Sequence, residues 1–279
     1  MSLIRLFESR DLTEAERLAG LSLESVSPLT RHGRWRRETP HAEDHPVLIW
    51  IARGHGRITI DARAHGIVAH TAIALPAGTP FALQPGQTTE GVLMRIPELF
   101  EAPMPDSPRL LRLVDAGTQT ELTGLLDHLA RPGDLAVPAD GRAALGRLVL
   151  ISALLEREAT RHAPPKASAG TRLAAAFARA VERDLGQSNV EALAATLGVT
   201  PTHLTRTVKT ACGLTAAQYV GERVMHEARR RLADTDAPAA GIAAELGFGS
   251  PAYFSRAFRR VTGQTPSTFR AASRRTRTV

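Results

Sequence analysis

Residues 236–270 read DAPAAGIAAELGFGSPAYFSRAFRRVTGQTPSTFR, and residues 190–219 read VEALAATLGVTPTHLTRTVKTACGLTAAQY. Laid side by side, they are one pattern written twice. Leu193, Leu197 and Gly198 recur forty-nine positions later as Ile242, Leu246 and Gly247. Leu204, Arg206, Val208, Gly213 and Tyr219 recur fifty positions later as Phe254, Arg256, Phe258, Gly263 and Phe269. The one-residue difference falls in the turn, where an insertion costs least. Each copy reads as a helix-turn-helix, with motif one over about 190–212 and motif two over about 239–262.

Within motif one, Val190, Leu193, Ala194 and Leu197 make the buried face of a short helix. Gly198 supplies a turn residue that reaches positive φ without a Cβ penalty. Thr200-Pro201 restarts the chain as N-cap and first helical residue. In the helix that follows, Leu204 and Val208 point inward, which leaves Thr202, His203, Thr205, Arg206 and Lys209 outward at helical spacing. Motif two repeats the design with Ser250-Pro251, inward Phe254 and Phe258, and outward Ser255, Arg256, Arg259 and Arg260. Between them, Ala216–Ala233 reads as one long helix that would hold the two motifs at a fixed separation. Two such helices could enter successive major-groove faces of one duplex, about 34 Å apart. The tail Arg274-Arg275-Thr-Arg277 is read as a disordered basic segment.

Charge supports this division. Residues 166–279 hold 17 Lys and Arg against 8 Asp and Glu, whereas residues 1–165 hold 18 against 20. The basic surplus lies wholly in the half that carries the repeat, as a phosphate-binding module requires. At 279 residues the chain is long enough for two domains. Its apolar runs are too short to span a membrane, and its first twenty residues lack the apolar stretch of a secretory signal. Cys212 is the single cysteine, which excludes an internal disulfide framework and fits a reducing compartment. A cytoplasmic location is expected.

The N-terminal half changes character. A short helix is expected around Leu12–Leu23. Strands are then read at Val47–Ile51, Arg57–Asp61, Ala72–Leu75 and Gly91–Ile96, separated by glycines and prolines, as in a small all-β barrel or sandwich. A Pro-rich passage over 97–108 leads into amphipathic helices at Thr120–Ala130 and Ala139–Arg161. The stretch His162-Ala-Pro-Pro-Lys-Ala-Ser-Ala-Gly170 reads as an interdomain linker. Six of the ten histidines, His32, His41, His45, His55, His65 and His70, lie in or just before the strand-rich segment, yet His41 and His45 lack the His-x-His spacing of a metal-binding cupin. Phe81 stands where the Pro-x-Gly-x-x-His pattern would place a ligand, so no metal and no cofactor are expected. No Ser/His/Asp arrangement or paired carboxylate suggests catalysis.

The residue strings quoted for the two motifs carry a family likeness. The C-terminal hundred residues resemble the DNA-binding domain of AraC/XylS-type transcription regulators, and residues 236–270 match that family's signature nearly position for position. By that resemblance, Thr202, His203, Thr205 and Arg206 stand at base-reading positions of the first recognition helix, and Pro251, Ala252, Ser255 and Arg256 at those of the second. Arg206 suits a bidentate guanine contact. Lys209, Arg259 and Arg260 suit phosphates, and Ser250 completes the DNA-facing set. Pro251 and Ala252 offer no side-chain hydrogen bond, so the first helix is expected to read more sequence than the second.

The resemblance also implies an α+β two-domain fold. A cupin-like β-barrel with dimerisation helices would occupy residues 1–161, a linker 162–171, and an all-α domain of two helix-turn-helix motifs joined by a long helix 172–279. The implied partners are double-stranded DNA, a small-molecule effector, RNA polymerase and a second copy of the chain. An effector pocket inside the barrel would use Trp50 for stacking, with Arg95, His41 or His45 for polar contacts. The expected activity is activation of a catabolic or transport operon. Two rivals remain open: a metal-dependent cupin enzyme fused to a DNA-binding domain, and an effector-independent architectural DNA binder.

Overall fold

The computed structural model describes residues 20–27, 34–97, 104–131, 138–162 and 166–277. The expected helix around Leu12–Leu23 lies mostly outside these residues, as does His32; Ser22–Ser25 itself is a strand, β1. It is followed by α1 (Trp35–Glu38), β2 (Val47–Arg53), β3 (His55–Ile60), β4 (Arg63–Val68), β5 (Thr71–Leu75), β6 (Phe81–Pro85), β7 (Glu90–Arg95) and β8 (Arg109–Arg112). Among the described residues these strands form two antiparallel sheets rather than a closed barrel. One has the order β1-β7-β2-β5-β8 and the other β4-β3-β6.

Side-chain alternation explains how the sheets stack. Along β2, Val47, Ile49 and Ile51 face the smaller sheet, where Ile58, Ile60, Ile67, Phe81 and Leu83 meet them. Leu48 and Trp50, on the opposite face, pack under α2 (Ala116–Ala130) and α3 (Pro138–Arg161) against Leu122, Leu126, Leu148 and Leu155. A strand covered on both faces has no polar side to show, so β2 reads as an unbroken apolar run. β3 is covered on one face only and alternates, with Ile58 and Ile60 buried and Arg57 exposed.

The remaining helices are α4 (Ala169–Arg183), α5 (Val190–Thr196), α6 (Pro201–Cys212), α7 (Ala216–Asp234), α8 (Ala239–Glu245), α9 (Pro251–Thr262) and α10 (Pro266–Arg277). They build two cores that share α7. Ala216 and Tyr219 from its first turns join Phe177, Leu193, Leu204 and Val208. Val224, Ala228 and Leu232, further along, join Ile242, Leu246, Phe254, Phe258 and Phe269. The expectation of a disordered tail is corrected: α10 runs to Arg277, and Arg274 pairs with Asp236. Phe269 anchors α10 in the second core, at 5.4 Å from the Phe258 ring, which accounts for the ordering.

Among the described residues the β-rich part touches the helical part at two main places. The β3–β4 hairpin turns through Asp61 and Ala62, both at positive φ (49° and 54°). Ala62 is fully buried in the first helical core, and Asp61 accepts from Arg179 Nε at 3.2 Å and Nη2 at 2.8 Å. At the second place, Trp35 lies edge-on to His226 and Phe269, and Arg36 donates to both carboxylate oxygens of Asp234 at 2.7 and 3.0 Å. The His41 and His226 rings stack there, 4.6 Å apart and nearly parallel. Burial holds His41 down at about 4 and pushes His226 far below the usual histidine range, with His41 and Arg223 adding to it. Both rings are therefore neutral near pH 7.

Candidate nucleic-acid interface

The two recognition helices are α6 and α9, and their frames are built by the same hydrogen bonds. Gly198 N donates to Ala195 O and Gly247 N to Ala244 O, at 3.0 and 3.1 Å. Val199 N donates to Ala194 O and Phe248 N to Ala243 O, at 3.0 and 2.9 Å. Both turn glycines are left-handed, with φ of 67° and 76°. Thr200 and Ser250 cap their helices by accepting from His203 N and Tyr253 N, each at 3.2 Å, and Pro201 and Pro251 follow as first helical residues. Gly213 and Gly263 close them in the left-handed conformation. The sequence repeat is thus a repeat of backbone geometry.

Burial sorts each helix into an inner and an outer face. In α6, Leu204 and Val208 are buried, Thr205 is half-buried, and Thr202, His203, Arg206 and Lys209 are exposed. Arg206 Nη2 lies 3.4 Å from His203 Nδ1, so these two share one edge of the helix. Thr202, Thr205, Arg206 and Lys209 line an open groove between α5, α6 and α7. In α9, Phe254, Ala257 and Phe258 are buried, Ser255 is half-buried, and Arg256, Arg259 and Arg260 are exposed. Ser250 is spent on the cap. Sequence reasoning passed over Tyr253, which stands 53% exposed in the first turn of α9 beside Ala252. An aromatic that large left in water on the outer face of a recognition helix is a contact candidate; its position after Ser250-Pro251-Ala252 is the signal that could have found it.

Ion pairs fasten α7 to the helices beside it. Arg223 Nε donates to both Glu182 oxygens at 2.8 Å, fastening α7 to α4. Glu227 accepts from Arg230 Nη2 at 2.6 Å and Arg231 Nε at 2.7 Å, and Arg231 also pairs with Glu245 of α8. Burial works against ionisation of Glu227, but the hydrogen bonds from Arg230 and Arg231 outweigh it and hold its carboxyl at about 2. The network runs from α4 through α7 to α8.

The four residues expected to line an effector pocket do not all meet. His41, His45 and Arg95 gather round Glu43, which Arg95 reaches at 2.8 Å and His41 Nε2 at 3.9 Å. Arg95 also pairs with Glu24 at 2.6 Å, and His45 Nδ1 is buried with no hydrogen-bond partner. Trp50 lies apart, buried beneath α2, with Nε1 donating to Thr123 Oγ1 at 3.2 Å. The space between the sheets is filled by Ile49, Ile51, Ile58, Ile67, Ile73, Phe81 and Leu83, each at most 2% exposed. Among the described residues no group of three or more His, Cys, Asp or Glu is placed to hold a metal ion.

Comparison with known proteins agrees with this geometry. The helix-turn-helix domain family matches residues 193–272. The bifunctional transcriptional activator/DNA repair enzyme AdaA of Bacillus subtilis is 34% identical over 85 residues, which span 30% of this chain and 40% of AdaA. The HTH-type transcriptional regulator GlxA of Rhizobium meliloti is 37% identical over 94 residues, spanning 34% of this chain and 28% of GlxA. The regulatory protein SoxS of Salmonella typhimurium is 34% identical over 82 residues, spanning 29% of this chain and 77% of SoxS. All three likenesses cover about a third of the chain. With that motif pair, its repeated backbone geometry and these relatives together, the chain belongs to the AraC/XylS family of helix-turn-helix DNA-binding transcription regulators.

Proposed function

We propose that the protein is a cytoplasmic regulator that reads its target mainly through α6, grips backbone mainly through α9, and answers to a small molecule. The observation that carries this reading is the contrast between two equivalent faces. By the family resemblance, α6 offers Thr202, His203, Thr205 and Arg206 at base-reading positions, whereas α9 offers Pro251 and Ala252, which cannot hydrogen-bond through their side chains, before Ser255 and Arg256, with Arg259 and Arg260 placed for phosphates. The protein acts as an activator of a catabolic or transport operon, in contact with RNA polymerase, and catalyses no reaction itself. Effector control is supported by the two-point contact between the domains, since a ligand that favours one arrangement of that contact shifts how the motifs are presented. A homodimer is supported by α3, which leaves Leu150 52% exposed on its outer surface.

Selection of duplexes from a random pool by the full chain tests the reading. The expected site has two segments about one helical turn apart, with base preference concentrated in one of them. A dimer doubles that unit, so the protected length reports stoichiometry. Selection that enriches no sequence would leave only an architectural binder.

A further inference from the structure

A cleft of about 440 Å³ lies where the β3–β4 hairpin, β8 and the first turns of α4 come together. Arg63, Arg109 and Arg172 line it from three different elements. The carboxylate in its wall belongs to Asp61, and both oxygens of that group are already taken by Arg179. Among the described residues, three arginines thus line one small space with no carboxylate to spare, and Arg172 Nη1 donates to a neutral partner, Ala167 O, at 2.8 Å. Arg109 Nε is buried without a hydrogen-bond partner, a costly condition for a charged donor. Ile60, Leu110 and Leu111 supply apolar wall, and Leu110 is 38% exposed although it sits on a strand.

Positive charge that lacks a counter-charge, set beside bare hydrocarbon, recognises an anion with an apolar body. We infer that this cleft is a binding site for a small organic anion, a carboxylate or sulfonate carried on an aromatic or aliphatic body. Resting on the effector-responsive reading above, it assigns that effector a place and a chemical class. The placement suits control. The cleft is floored by the hairpin whose Ala62 is buried beneath α6, and it is closed by α4, which packs on α6. A ligand here bridges the two domains and touches elements that hold the first recognition helix.

The test uses the full chain and the fluorescent anion 1-anilinonaphthalene-8-sulfonate. One molecule is expected to bind per chain, to be displaced by 4-phenylbutyrate, and to resist 4-phenylbutylamine, which has the same body and the opposite charge. Arg109→Gln removes charge and Ala175→Trp fills the cleft; each is expected to weaken binding at least tenfold with unchanged circular dichroism. Wild-type affinity in both variants, or equal displacement by the amine, overturns the site. Affinity for the selected duplex is measured alongside. If the anion binds as described but duplex affinity stays unchanged, the site stands and the effector reading falls. If the anion shifts duplex affinity equally in wild type and both variants, the effector reading stands and this site falls.

Discussion

Glu227→Ala is expected to cost the C-terminal domain about 1.5–3 kcal/mol, the range for losing hydrogen bonds to a buried charged group. The Glu227 side chain is 5% exposed and neutralises Arg230 and Arg231 while lying 3.4 Å from Arg223, itself nearly buried. Deleting the carboxylate removes the shared counter-charge of the three arginines, while Arg223 keeps Glu182 and Arg231 keeps Glu245. Urea denaturation of the full chain measures the loss, and a cost below about 1 kcal/mol would mean that the guanidinium groups find other partners. The pH dependence has a definite sign. Folding lowers the Glu227 carboxyl from its ordinary 4.5 to about 2, so its contribution is complete above about pH 4.5 and drains away as pH falls toward 2. The variant should lose stability more gently across that window than the parent.

Gly247→Ala and Gly198→Ala are equivalent in the repeat and are expected to differ. Both positions are left-handed, so each alanine takes on about 1–2 kcal/mol of backbone strain. A Cβ at Gly198 meets nothing within 4 Å. A Cβ at Gly247 would stand 1.9 Å from the carbonyl oxygen of Gly186, whose own Cβ position is 2.6 Å from Leu246 O. Backbone cannot swing aside as a side chain does, so Gly247→Ala carries about 1–3 kcal/mol more. Thermal unfolding of the two variants reads the difference. Equal costs would show that the loop after α4 does not press on the second turn.

That asymmetry marks how far the sequence could be read. The motif pair was legible because its signals are local: inward Leu204 and Val208 or Phe254 and Phe258, a turn glycine, and a Ser or Thr before Pro. The Gly186–Gly247 contact joins residues sixty-one apart and leaves no periodic trace. The β-rich half was read in part for a similar reason. β2 and β5 are apolar runs and β3 alternates, but β4 reads RAHGIV, and β8 reads RLLR behind a run of prolines. The Asp61-Ala62 turn has positive φ at both residues without the Asn-Gly or Asp-Gly pair that announces such a hairpin. Trp35, His41 and His226 gave no sign of meeting, since nothing local pairs residues nearly two hundred positions apart. Glu43, which collects His41, His45 and Arg95, was overlooked because an acidic residue in a loop has no periodic pattern to mark its partners.

The central claim is that two geometrically equivalent helices divide the work on DNA. The most direct measurement compares Arg206→Ala and Arg256→Ala on the selected duplex and on a random duplex at one salt concentration. Arg206→Ala is expected to weaken the selected duplex by about 1–3 kcal/mol and the random one much less, while Arg256→Ala weakens both to a similar, smaller extent. Equal losses on the two duplexes for Arg206→Ala, or a larger loss of discrimination for Arg256→Ala, would contradict it.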